Sequence, residues 1–205
     1  MKKQQITFHS TQDIEPLLEE IKQIVFERLK KDNNISTLLL LVCGLLNKTY
    51  ELTETALWAI DNDRPQTTTF MLRGLYETLA FTNYIKSKMT GTDPKDYEQA
   101  INLLLFGSKK PGSKYQSVNV LTCIDKAAKE FTELRKNYDD LSELVHPNSA
   151  SHFYIASVTN HKKRHVTIQI PFYRFKNKDK KSALNQIGEC CFHVIRISKE
   201  LLAVS

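Results

Sequence analysis

Residues 120–148 read VLTCIDKAAKEFTELRKNYDDLSELVHPN, and the apolar positions Val120, Ile124, Ala127, Phe131, Leu134, Tyr138, Leu141 and Val145 recur at alternating steps of four and three. That spacing keeps one stripe on one side of an α-helix and predicts a single long helix with a heptad-like seam. Pro147 disfavours helical geometry at the residue before it, so the helix is expected to end at His146. A seam of this kind has to pack against other helices, and the flanking sequence supplies them.

Upstream, Leu17, Leu18, Ile21, Ile24, Val25 and Leu29 fall at helical spacing, with Glu19, Glu20, Lys22 and Lys30 on the other side. Asn33, Asn34 and Ser36 can cap a second helix running to about Ile60, whose first half is apolar all round and is therefore expected at the centre of a bundle. Asp63 reads as the N-cap and Pro65 as an early residue of a third helix to about Lys88. A shorter helix spans Pro94 to Phe106, and a final one runs from Ser182 to Ala203 with Leu184, Ile187, Cys191, Val194, Ser198 and Leu201 in register. Between the long helix and the last, Val166, Ile168 and Ile170 alternate with polar residues, and His152 to Val158 is rich in aromatic and β-branched side chains. The expectation is a mainly α fold: an antiparallel bundle of about six helices with one inserted β-hairpin near residues 151–171, in a single helical domain over 1–205.

Charged residues make up 25% and apolar residues 41% of the 205, which fits a globular chain with its own core. Cys43, Cys123, Cys190 and Cys191 lack the C-x-x-C spacing of a zinc or redox centre, so they read as small core residues in a reducing cytosol. The first residues carry Lys2 and Lys3 without an apolar leader. The longest apolar run, Leu38 to Leu46, covers about half of the roughly 20 residues a spanning helix needs. A cytoplasmic protein with no membrane contact is expected. Phosphate-loop, dinucleotide, H-E-x-x-H and G-x-S-x-G motifs are absent, so no cofactor is implied. His161 and His165 fall across the expected hairpin turn, which gives no helical metal site.

Three features carry functional weight. Arg73 and Glu77 lie one turn apart in an otherwise apolar helix, and desolvating such a pair costs several kcal/mol per ion, so each requires a partner, be it a ligand, another helix or the other. Tyr138, Ser142 and His146 recur every four residues and line one helix face, where a histidine at the helix C-terminus favours the imidazolium. Residues 162–181 hold eight lysines and arginines, among them Lys162, Lys163 and Arg164, against one acid, with Phe172, Tyr173 and Phe175 interleaved. That mixture suits single-stranded nucleic acid, and lysines that protect an exposed hairpin edge account for it equally well.

The combination of Arg73-Gly-Leu-Tyr-Glu77 with Tyr138-Asp-Asp-Leu-Ser142-Glu-Leu-Val-His146-Pro147-Asn148 resembles a family of uncharacterised bacterial helical proteins that is distantly similar to the HEPN superfamily. The resemblance covers about residues 35 to 203. It implies a helical bundle from a toxin or phage-defence setting, RNA as partner, and Arg73, Glu77, Tyr138, Ser142 and His146 as site residues, with Asn148 beside them. Catalytic HEPN proteins carry an arginine shortly before the histidine; here those positions are Asp139, Asp140 and Leu141, and Arg135 lies about 16 Å from His146 along a helix axis.

Two readings follow. In the first, a metal-independent ribonuclease or RNA-binding protein uses the basic hairpin to hold the backbone, Arg73 to stabilise a phosphate and His146 to transfer protons. In the second, the same residues form a structural network or a pocket of a non-catalytic module that binds a small ligand or a partner protein. A homodimer is compatible with the seam, as is packing of the seam inside one chain.

Overall fold

The computed structural model describes residues 6–31, 35–90, 94–145, 156–160, 165–168 and 175–203. Within them run seven helices: α1 (Glu15–Lys31), α2 (Thr37–Asp61), α3 (Pro65–Met89), α4 (Pro94–Phe106), α5 (Val120–Ala127), α6 (Leu134–Val145) and α7 (Asn177–Leu202). Two short strands, β1 (Ala156–Asn160) and β2 (His165–Ile168), pair antiparallel with Val158 opposite Val166 and a register shift beyond Val158.

The chain is a helical bundle organised on α3, which packs against α2, α4, α5, α6 and α7. Leu72, Leu75, Leu79, Ala80 and Ile85 of α3 are buried. Each of the leucines and the isoleucine contributes about 1.5–3 kcal/mol of hydrophobic stabilisation. The apolar start of α2 goes with an inner place in the bundle: α2 packs against α1, α3, α4 and α7, and Leu39, Leu41, Val42, Leu45 and Leu46 are buried, while Leu40 alone of its first leucines is exposed. Ser36 caps it, its Oγ accepting from Leu39 N at 3.1 Å.

Three expectations are corrected. The seam of residues 120–145 belongs to two helices. Ile124, Ala127, Leu134 and Tyr138 are buried as their spacing requires, yet Lys129 N and Glu130 N bond to carbonyls only three residues back and the chain turns before α6 begins. In a continuous helix Asp125 and Arg135 would stand about 15 Å apart; here they form an ion pair across the bend. Asp63 closes α2 rather than capping α3. Its φ is +53°, Arg64 N donates to Ala59 O and Asp63 N to Ile60 O, the pairing of a left-handed helix end, and its carboxylate meets Lys180 Nζ at 2.7 Å. Arg64 takes the N-cap place of α3 with no side-chain cap bond, ahead of Pro65 at the first turn. The last helix starts at Asn177, more than a turn earlier than its apolar spacing indicates.

α7 is also where the N-terminal segment docks. The Phe8 ring lies over Gly188, where a Cβ would stand 2.3 Å from ring carbons, and Phe8 N donates to Asn185 Oδ1 at 3.1 Å. A side chain at position 188 would expel Phe8, so the glycine is set by close approach.

Candidate functional site

α6 runs antiparallel to α3. Glu130 meets Asn83, Asn137 meets Tyr76, and Tyr138 meets both Arg73 and Glu77, so numbers rise on one helix as they fall on the other. This alignment brings together the two polar rows read from the sequence.

Tyr138 is 2% exposed, and its hydroxyl is the junction of the cluster. Arg73 Nη2 donates to Tyr138 Oη at 3.1 Å, and the Tyr138 hydroxyl donates to Glu77 Oε1 at 3.0 Å. Arg73 Nε lies 3.5 Å from the same carboxylate oxygen, and the guanidinium carbon stands 5.3 Å from the centre of the Tyr138 ring. The buried hydroxyl is thereby satisfied as donor and acceptor, which a buried tyrosine requires. Arg73 and Glu77 are partly hydrated, with side-chain exposures of 26% and 25%, so the pair itself adds little stability. Its effect is to hold one guanidinium in place.

A guanidinium carries five N–H donors in a planar fork. Among the described residues only Nη2 of Arg73 makes a hydrogen bond, and Nε faces Glu77 without an aligned one. Nη1 thus meets no acceptor among the described residues, and a guanidinium edge suits phosphate or carboxylate in bidentate geometry.

Ser142 does not join the cluster. Its Oγ donates to Tyr138 O at 2.8 Å, a bond within its own helix. His146, Asn148, Lys162, Lys163 and Arg164 lie outside the described residues. Arg135 is tied to Asp125 and Asp139, which directs it along the outer side of α5 and α6 rather than toward the helix end.

Two arrangements on the other half of α3 went unread in the sequence. Glu130, in the bend before α6, accepts from Asn83 Nδ2 at 2.8 Å and from Arg196 Nη2 at 3.0 Å, while Lys86 and Arg196 both reach Glu200. Burial pushes the Glu130 carboxyl up, but the bonds from Arg196 and Asn83 and the charge of Lys86 outweigh it, so the group ionises below the ordinary glutamate value. Beside this network a groove of about 570 Å³ is lined by Phe8, Tyr76, Phe131, Asn137, Phe192 and His193, among others. Two of the lining residues are held by a chain of bonds that leads away from the groove, in which Asn137 donates to Tyr76, Tyr76 to Gln186 and Gln186 to Ser182. Burial pushes the Tyr76 hydroxyl up, keeping it protonated. His193 stands 4.8 Å from the Phe131 ring centre. Its single position in the sequence carries no periodic partner that marks it.

The four cysteines are free and buried. Burial raises the thiol of Cys123 to about 11 and that of Cys191 to about 12, so neither is a ready nucleophile. No helix among the described residues is long and apolar enough to cross a membrane. No protein-family model matches the chain, and neither a curated protein nor a solved structure matches it.

Proposed function

We propose that this chain is a HEPN-like RNA-binding helical protein in which Arg73, held by Glu77 and Tyr138, grips a backbone phosphate. The observation that carries the reading is the fixed guanidinium with its Nη1 edge uncommitted among the described residues. Pre-positioning of this kind lowers the entropy lost on binding. The basic run of residues 162–181 supplies the long-range attraction that draws in a polyanion, with Lys162, Lys163 and Arg164 in it. Ribonuclease activity, toxin or phage-defence context and a homodimeric state belong to the same proposal. In the catalytic form, His146 transfers protons during attack of the 2′-hydroxyl, without a metal ion in the step.

The test incubates wild-type, Arg73→Ala and His146→Ala proteins with mixed RNA in excess chelator, and reads both retained complex and cleavage. RNA retained by the wild type and lost in Arg73→Ala supports the phosphate grip. Cleavage that stops in His146→Ala adds the enzymatic step, and cleavage unchanged in that variant removes it.

The groove between α3, α6 and α7 favours a second reading, a non-catalytic module that binds a small ligand or a partner protein, because its volume falls in the range of small-molecule sites. That reading predicts no RNA retained by the wild type.

A further inference from the structure

We infer that Phe70 is a base-stacking platform beside Arg73, so that this face of α3 takes an unpaired nucleotide rather than a duplex. The inference rests on the phosphate-binding reading of Arg73 and adds the class of nucleic acid.

α3 buries Leu72, Leu75, Tyr76, Leu79 and Ile85, yet Phe70 is 50% exposed, the one large apolar side chain of this helix left so open among the described residues. A single exposed apolar side chain is ordinary on a protein surface. What distinguishes this one is its position. At 100° per residue, Phe70 lies within about 20° of Glu77 and about 60° of Arg73 around the helix, and about 4.5 Å from Arg73 along the axis. The aromatic ring and the oriented guanidinium thus share one face, one turn apart.

The antiparallel run of α6 brings its C-terminal turns toward this end of α3. Tyr138 is level with Arg73 and Glu77, so the following residues of α6, the half-buried Leu141, Ser142 and Val145, extend toward the Phe70 end of α3. Gly74, on the other side of Phe70, sits 3.1 Å from the Leu52 side chain through its absent Cβ, which keeps that flank of the helix closed against α2. Phe70 is thus half exposed one turn from Arg73, where a splayed base can lie on the ring while its phosphate meets Nη1 of Arg73. Stacking of this kind accepts any base, because every base has a π-face. Bases inside an A-form duplex are already stacked on each other and offer no face to the ring.

The test is fluorescence anisotropy of the full chain with a labelled single-stranded RNA of about 12 nucleotides, the length one compact site covers, and with the blunt duplex of the same sequence. Phe70→Ala is expected to weaken single-strand binding about thirtyfold, the middle of the measured range for one stacked base, and to leave duplex binding and thermal melting unchanged. Phe70→Trp should restore the affinity. Arg73→Ala should weaken binding of both forms. If Phe70→Ala binds single strands as tightly as wild type while Arg73→Ala does not, stacking is overturned and the phosphate grip stands. A duplex bound by wild type as tightly as the single strand overturns the inference as well, and a wild-type chain that binds neither form overturns both readings.

Discussion

Two polar clusters sit on α3, and they use their donors differently. Around Glu130 the charges balance: Lys86 and Arg196 face Glu130 and Glu200, Asn83 fills the remaining oxygen, and the bonds tie α3, the bend before α6 and α7 together. Around Tyr138 the bonds stop short: one hydroxyl joins Arg73 to Glu77, and an edge of the guanidinium has no partner among the described residues. The first arrangement is a clamp between helices. The second holds one cation in place. Similar residue types thus lock helices in one place and, in the reading proposed above, serve recognition in the other, and what separates them is the count of satisfied donors among the described residues rather than the identity of the side chains.

The largest effect that separates the clusters comes from their packing. Tyr138→Ala removes a buried aromatic and its relay together, and should cost about 3–5 kcal/mol in urea unfolding. Tyr138→Phe keeps the ring and deletes only the hydroxyl. It should cost about 1 kcal/mol, because Arg73 and Glu77 are hydrated enough to find water, while weakening RNA retention by freeing the guanidinium. A loss in Tyr138→Phe as large as in Tyr138→Ala would mean that the cluster is itself a clamp.

Glu130→Ala should lower stability by about 1 kcal/mol, the upper end for partly exposed ion pairs, and leave RNA affinity as it was. The smallest effect is in the pH profile. Because the folded Glu130 carboxyl ionises below its ordinary value of 4.5, its contribution is complete above that pH and is lost as the pH falls below it through the folded-state value. Melting curves of wild type and Glu130→Gln should therefore converge in acid, separate as the pH rises toward 4.5 and keep a constant separation above it. Curves that stay parallel from pH 3 to 7, about the span over which glutamates titrate, would remove Glu130 from the clamp.

The sequence showed part of this comparison. Arg73 with Glu77, and Tyr138 with Ser142, were visible as polar residues at helical spacing in apolar helices, and the structure brings three of the four together. Ser142 escaped because a hydroxyl that bonds its own helix has the same spacing as one that faces a ligand. The bend at 128–133 escaped because the four-and-three spacing runs through it unchanged: Ala127, Phe131 and Leu134 keep their apolar face while the backbone turns. The Glu130 clamp joins residues 66 positions apart in the chain, and no local pattern announces such a bond. Asp63 carried the signature of a cap, but at the wrong helix, since a left-handed helix end and a following N-cap favour the same residue types.

The most direct test of the difference is single-strand RNA affinity against salt for wild type, Arg73→Ala and Arg196→Ala. Arg73→Ala should bind about tenfold more weakly and flatten the log–log salt slope by about 0.7, the loss of one phosphate contact on a single strand. Arg196→Ala, whose guanidinium is committed to Glu130 and Glu200, should keep both the affinity and the slope. Equal losses in the two variants, or none in Arg73→Ala, would contradict the assignment of Arg73 as the phosphate grip.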